Sequence, residues 1–568
     1  MRRKWWVLGG VAVLVALMAW AGYEAISAAR STQALQTNLT RMRDLASDQD
    51  TTALAAELPT LRSSALDMQA AANRPMMSAL SVVPLIGPTV SSLRDLADAS
   101  ADVAGATTGL DAVLPALAPD QLYQDGRANV DAIRDASPAL AELSAAVATA
   151  EDRVRQADPG SLGPVGPAVQ KAQDELADLS GGLKTAAQVT DILPSLLGAD
   201  GPSRWAILLQ NGSEARGTGG FLGAYALLRA DDGQISIGQV DTNNSLKTKI
   251  PTKGMPAEFI ELWTKRYTSD WRTYNLSRHF PYTGELTRNG MAVRGDPIDN
   301  VLAMDAHVVA ALLAGTGPVT AAGVTIDSSN AERFFNADVY VRFPDVKEKD
   351  AAVVELMTAV LDKVLAGPLD LPSMVSALSQ PVQEGRLLAW SSNASVQETL
   401  QQWPVASIVP ESKGPWTSVS MNDSSASKLD AFIQSSVRYE AASCGAGTST
   451  VRVTLTNNAP AKLAPYADPE GSLPSGIPGR TGLSVSVYGP VGAEYGEARL
   501  DGKRQFVRQG FERGHPVWGG YDIVLKRGQT RELVLTFTEP TSPGTTPTVL
   551  AQAMPIPQTV SATTTGCG

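Results

Sequence analysis

The stretch RWAILLQNGSEARGTGGFLGAYALLRADDGQISI, Arg204 to Ile237, sets two apolar runs, WAILL and LGAYALL, on either side of a glycine-rich segment that carries Glu214 and Arg216. The two runs read as strands, DDG as a tight turn, and QISIGQV as an alternating third strand. Downstream come DNVLAMD, a helix-like AHVVAALLAG, then TGPVTAAGVTI, and AAVVELMTAVLDKVLAG with Val354, Met357, Leu361 and Val364 on one helical face. Strand signals alternating with helix signals make residues 199–410 a central α/β domain.

Outward from this stretch the character of the chain changes on both sides. Residues 24–198 are rich in Ala, Leu, Asp, Ser and Gln, and Leu35, Leu39, Met42 and Leu45, then Leu54, Leu58, Leu61 and Met68, recur at helical spacing. That pattern predicts an all-α stalk or bundle, interrupted at Pro75, Pro84, Pro88, Pro159, Pro164 and Pro167. Residues 411–568 carry short alternating runs, STVRVTLTN, GLSVSVYGP, GYDIVLKRG and RELVLTFTEP, separated by Gly, Pro, Asn and Asp. These predict a C-terminal β-sandwich.

At the N-terminus, MRRK precedes WWVLGGVAVLVALMAWAGY, Trp5 to Tyr23. At about 1.5 Å per residue this apolar run spans roughly 30 Å, the thickness of a hydrocarbon core. Residues 1–4 then form a cytoplasmic tail, residues 5–23 a transmembrane anchor, and the bulk of the chain lies outside the cytoplasm in a single-pass cell-membrane protein. A cleaved signal peptide is the alternative.

The net charge of −11 provides no cationic field for nucleic acid, which excludes that partner. The chain has two cysteines, Cys444 and Cys567, and in an oxidising compartment they are expected to join as a disulfide. The three histidines are scattered, and no metal-spaced Cys/His cluster or nucleophile elbow is visible.

The QNGSEARGTGGF segment supports two readings. Gly217, Gly219 and Gly220 permit positive φ and close backbone approach, so their N–H groups are able to form an anion-accepting concavity beside Arg216, with Glu214 on a metal or on Arg216 itself. In the other reading the segment only turns the chain, and Glu214 and Arg216 are a structural pair. An insertion at about 252–296 is equally open. Its Trp263, Tyr267, Trp271, Tyr274 and Tyr282, with Lys265, Arg266, Arg272, Arg278 and Arg288, suit either a cover over a sugar or pyrophosphate or a loop docked onto its own domain.

The Arg204–Ile237 stretch, together with MNDSSASKLDAFIQSSVRYE downstream, resembles the family called domain of unknown function 4012, membrane-anchored bacterial envelope proteins. The order of central elements is also similar to the LytR-CpsA-Psr family, which moves glycopolymers from a polyprenyl-pyrophosphate carrier and uses arginines and a magnesium ion. In that resemblance NGSEARG places Glu214 and Arg216 at an acidic and an arginine position, and VYVRF places Arg342 on an arginine-bearing strand. TGGF stands where those enzymes carry an aspartate, QVDTNN keeps only Asp241, and DVKEKDAA leaves Lys347 and Lys349 in place of paired arginines. Lysine lacks the guanidinium fork for bidentate phosphate recognition. The resemblance therefore implies an anion site of Arg216, Arg342, Lys347, Lys349 and the three glycines, with Glu214 and Asp241 on Mg2+. The implied function is binding or transfer of a lipid-linked glycopolymer; the alternative is a non-catalytic envelope scaffold or protein-interaction module.

Overall fold

The computed structural model describes residues 51–568 apart from 85–86, 125, 157–165, 247–250, 268–270, 368–370, 412–413, 443–446, 464–466, 469–476, 541–544 and 566–568. The described residues divide into two compact units: those up to Pro202 with Asp231–Ile235, and Ser203–Ala230 with those from Ser236 onward.

In the first unit four long helices, α1 (Thr51–Ala72), α2 (Gly87–Gly105), α3 (Val130–Arg155) and α4 (Gly166–Leu196), share one core. Leu54, Leu58 and Leu61 of α1 meet Leu96 and Val103 of α2, Leu140, Leu143 and Val147 of α3, and Leu176 and Leu183 of α4. The helical spacing of the leucines thus becomes one buried stripe per helix. Asn129 caps α3, its side chain accepting from Ala132 N at 3.1 Å. The unit departs from an all-α stalk, because Tyr123–Gln124 pairs with Arg127–Ala128 and Arg127 pairs in turn with Gln234. Gly126, at φ 78°, makes that turn, and a ladder of two residues is too short for hydrophobic alternation to register in the sequence.

The second unit opens with β1 (Ser203–Arg216), β2 (Gly219–Asp231) and β3 (Gln234–Thr242), followed by α5 (Ala257–Tyr267), α6 (Phe280–Arg294), β4 (Asn300–Met304), α7 (Ala306–Thr316), α8 (Val346–Ala366) and β5 (Leu387–Ser391). Its first sheet runs β3-β2-β1-β4-β5, with β1 antiparallel to β2 and parallel to β4. Both faces are covered. Ala206 and Leu208 point into a core with Tyr225, Phe259, Phe280 and Trp390, while Ile207 and Leu209 point into one with Val308, Phe334, Leu356 and Val360. The period-two alternation of a strand distributes the WAILL run between these cores, and each fully buried side chain of this size contributes about 1.5–3 kcal/mol.

The rest of the unit comprises β6 (Trp416–Asp423), β7 (Ile433–Ala442), β8 (Thr448–Asn457), β9 (Thr481–Tyr488), β10 (Glu494–Leu500), β11 (Lys503–Arg504), β12 (Arg508–Glu512), β13 (His515–Leu525), β14 (Thr530–Thr538), β15 (Thr548–Leu550) and β16 (Thr559–Thr565). Among the described residues they form two sheets, β12-β13-β9-β6-β15 and β11-β10-β14-β8-β7-β16. Val419, Val485 and Trp518 of the first sheet face Val437, Val453 and Leu535 of the second in a common core. The described residues accordingly form a mixed α/β protein with several sheets and no clear all-α stalk.

Three expectations are corrected. No helix of the described residues is long and apolar enough to cross a membrane, so the single-pass anchor and the cell-membrane location that rested on it are unsupported; residues 5–23 lie outside the described residues. No disulfide forms among the described residues, and Cys444 and Cys567 both lie outside them, so the expected bridge is withdrawn. VYVRF is not a strand: Val339–Arg342 is a helical turn that follows the π-turn Phe334–Asp338. Its alternating β-branched residues mimic a strand, but Val339 and Tyr340 are both buried against the same core, which a helical turn permits and a strand does not.

Candidate functional site

The glycine-rich segment is not an open loop. Strand β1 continues to Arg216 and β2 begins at Gly219, so only Gly217 and Thr218 connect them. The pairing runs Gln210↔Leu222 and Asn211↔Phe221, then jumps to Ala215↔Gly220 and Arg216↔Gly219. Residues 212–214 are extruded as a bulge, the usual device for re-aiming side chains within a ladder. Gly220 is required by this geometry, since a Cβ there would sit 2.3 Å from the Asn211 carbonyl carbon. Gly217 is required by another, because its Cβ would lie 2.2 Å from the Leu276 oxygen.

The bulge delivers Glu214 and Arg216 into the protein, where they are 5% and 7% exposed. Glu214 accepts from the Lys428 ammonium and lies 3.8 Å from Arg216 Nη2. Arg216 Nη1 donates to the Ala215 carbonyl at 2.8 Å, and its guanidinium stands 5.5 Å from the Phe221 ring centroid. Backbone donors that an anion would need are likewise engaged. Ala215 N donates to Asp430 Oδ2 at 2.9 Å, Gly217 N to Asn422 Oδ1 at 3.0 Å, and Ser213 N to Asn211 Oδ1 at 3.0 Å. The concavity is filled by the chain's own acceptors.

Electrostatics around the bulge follow from burial. Burial pushes the Asp430 carboxyl well above the usual carboxylate range, and the neighbouring Asp423 pushes it further the same way. Burial also raises Asp423, against the opposing charge of Arg216. Burial draws the Lys428 ammonium down to about 8, with Asp430 opposing. Arg278 completes the arrangement. It is 3% exposed, donates to the Gly217 carbonyl, to Ser418 Oγ at 3.2 Å and to the Ala551 carbonyl, and burial lowers its pKa to about 10.

The remaining residues of the expected anion and metal sites are placed elsewhere. Arg342 is exposed at the end of the turn after the π-segment, its guanidinium 5.7 Å from the Phe343 ring. Lys347 is exposed in the first turn of α8, and Lys349 is paired with Asp350. Asp241 accepts from Gln239 Nε2 at 3.2 Å and from Thr242 N at 2.7 Å. Of the expected set, only Glu214, Arg216 and the glycines come together. No group of three or more acidic, histidine or cysteine side chains able to hold a metal occurs among the described residues, and with Glu214 occupied by Lys428 the residues present do not fit a magnesium ion.

The aromatic insertion is resolved in the same direction. Trp263, Trp271 and Tyr274 are buried in the core with Phe259 and Phe280. Lys428, Asp430, Asn422 and Arg278, which make the joint, were not singled out by their own sequence surroundings as partners of the bulge. Arg278, in the stretch NLSRHF, reads like a surface-loop arginine, and only its partners from strands far along the chain distinguish it.

No curated protein and no solved structure matches the chain, and the likeness to the LytR-CpsA-Psr family gains no support from these comparisons. Residues 200–340, which include the β1–β2–β3 hairpins and the bulge with Glu214 and Arg216, match the family model described as Protein of unknown function (DUF4012).

Proposed function

We propose that the chain is a non-catalytic scaffold or protein-interaction module, and that the QNGSEARGTGGF segment is its internal joint. The observation that carries this reading is the engagement of Glu214, Arg216 and the bulge amides by Lys428, Asp430 and Asn422 within the protein. A transferase acting on a lipid pyrophosphate needs cationic and N–H groups free to meet the developing charge, and here those groups hold two sheets of one unit together. The interaction half of the proposal is supported by Phe506, 88% exposed, and Phe511, 50% exposed, flanked by exposed Lys503, Arg504 and Arg508. Aromatics and arginine are the residue types enriched where proteins meet.

The test is thermal unfolding of the full chain with magnesium and either inorganic pyrophosphate or polyprenyl phosphate. A ligand held only by the native state at a hundred times its Kd adds about 2.7 kcal/mol. The expected result is an unchanged Tm with both additives, and a lowered Tm for Arg216→Ala without any additive. A rise in Tm with either additive that Arg216→Ala abolishes would overturn the scaffold reading in favour of glycopolymer-carrier binding.

A further inference from the structure

The segment KRQFVRQGF, Lys503 to Phe511, carries three cations and no acid in a chain whose net charge is −11. It leaves β11, the last strand of one sheet, and crosses to β12, the last strand of the other. Strand β13 pairs with β12 from Arg508↔Gly519 to Glu512↔His515. Outside that ladder, the backbone of Gln509, Gly510 and Phe511 makes no hydrogen bond to any described residue. An open edge of this kind is a template for another strand, and proteins commonly blunt it with charge, proline or a covering element.

Period-two alternation divides β12 between two sides. Arg508, Gly510 and Glu512 meet helix α5: Arg508 Nη2 donates to the Glu261 carbonyl at 2.9 Å, a Cβ at Gly510 would lie 2.7 Å from Leu262 Cδ1, and Glu512 accepts from Trp263 Nε1 at 2.8 Å. Gln509 and Phe511 turn the other way, and both are exposed. Helix α5 thus packs on one face of the strand, and no described strand pairs with its outer edge. Phe506, 88% exposed, comes just before it. The acids beside the cations engage other groups. Asp501 is held by Arg531 at 2.8 Å, and Glu497, 3.9 Å from Arg504 Nε, is bonded to Arg499 Nη2 at 3.0 Å.

We propose, building on the interaction half of the scaffold reading, that β12 takes an extended, acidic segment of a partner protein as a further strand. The segment's backbone continues the ladder, its apolar side chains meet Phe506 and Phe511, and its carboxylates meet Lys503, Arg504 and Arg508. In strand addition the main-chain bonds supply affinity and alternate side chains supply specificity. Exposed aromatics among cations also suit an anionic lipid surface, but the unpaired N–H and C=O groups of an edge strand find no partner in hydrocarbon. The open edge therefore favours a peptide over a bilayer.

Fluorescence anisotropy of the full chain with a labelled octapeptide alternating Glu and Val tests the site. The comparisons are a Lys and Val octapeptide, N-methylated forms of the acidic peptide, and vesicles of phosphatidylglycerol and phosphatidylcholine. The acidic peptide is expected to bind, more weakly as salt rises, and about tenfold or more weakly to Phe511→Ser and to the double variant Lys503→Glu with Arg504→Glu. N-methylation at every Glu or at every Val removes the donors along one edge of the peptide, and one of the two is expected to abolish binding. Both variants keep the wild-type fold, since these side chains are exposed; Phe506→Ser replaces either that does not. No binding of the acidic peptide, equal binding of the Lys peptide, indifference to the substitutions or to both N-methylations, or vesicle binding that Phe511→Ser abolishes overturns the proposal. In that event an unchanged Tm with magnesium and pyrophosphate or polyprenyl phosphate leaves the scaffold reading standing without this partner. Peptide binding together with an Arg216-dependent rise in Tm does the reverse, keeping the strand-addition site and removing the scaffold reading.

Discussion

Lys428 neutralises a carboxylate that the chain has already committed to its interior. Glu214 is 5% exposed, with Lys428 and Arg216 as its cationic neighbours. Breaking such a pair from one side strands the other charge, whereas removing both charges is nearly neutral. Lys428→Ala is therefore expected to lower stability by roughly 3 kcal/mol, and the double variant Glu214→Leu with Lys428→Met to recover most of the loss in urea denaturation. Glu512 illustrates a different case, a buried acid held by neutral hydrogen-bond donors. It accepts from Trp263 Nε1 at 2.8 Å and Ser277 Oγ at 2.7 Å, yet burial dominates and raises its pKa from 4.5 to about 7. Between those values the folded state holds more protons than the unfolded state, so stability falls as pH rises. Its contribution is largest below 4.5 and is lost by about 7. Urea midpoints across this window are expected to decline in the wild type and to flatten in Glu512→Gln.

At the scale of elements, packing of helix on strand turns on single positions. Helix α6 lies against β5 through Gly284, where a Cβ would sit 2.2 Å from Trp390 Cγ. Gly284→Ala gains helix propensity of up to about 1 kcal/mol but overpacks by about 1–3 kcal/mol or more, so a net fall in Tm is expected. A control at exposed Gly181 of α4, where nothing lies within 4 Å, is expected to raise it. Helix α7 shows local and distant terms meeting. Asp305 caps it, accepting from His307 N at 3.0 Å and Val308 N at 3.2 Å, and also accepts from buried Arg386 at 2.7 Å. The cap is legible in DAHVV as an Asp before an apolar helical run; the arginine is not, because it comes from 81 residues away.

For the molecule as a whole, the first unit is held by a core of leucine, alanine and valine from its own helices, and the second by cores of its own. Among the described residues every tryptophan belongs to the second unit, while long helices occur in both. Urea unfolding followed by tryptophan fluorescence is therefore expected to differ in midpoint from unfolding followed by helical circular dichroism. Coincident curves in the full chain would show the two units to unfold as one.

What the sequence determined by itself was whatever depends on neighbours a few residues apart. The β1–β2–β3 order follows from alternation and from DDG, where Asp232 at φ 48° and Gly233 at φ 79° make the turn between left-handed positions. The helices of the first unit follow from leucine spacing, which a stripe of buried side chains requires whatever the partner. The tertiary structure alone decided what Glu214 and Arg216 do. The residues that engage the bulge, Lys428 and Asp430, lie 214 and 215 positions further along from Glu214 and Ala215. A charge beside glycines reads the same in sequence whether it awaits a ligand or meets a buried lysine. Only folding, by removing water from that side chain, distinguishes the two.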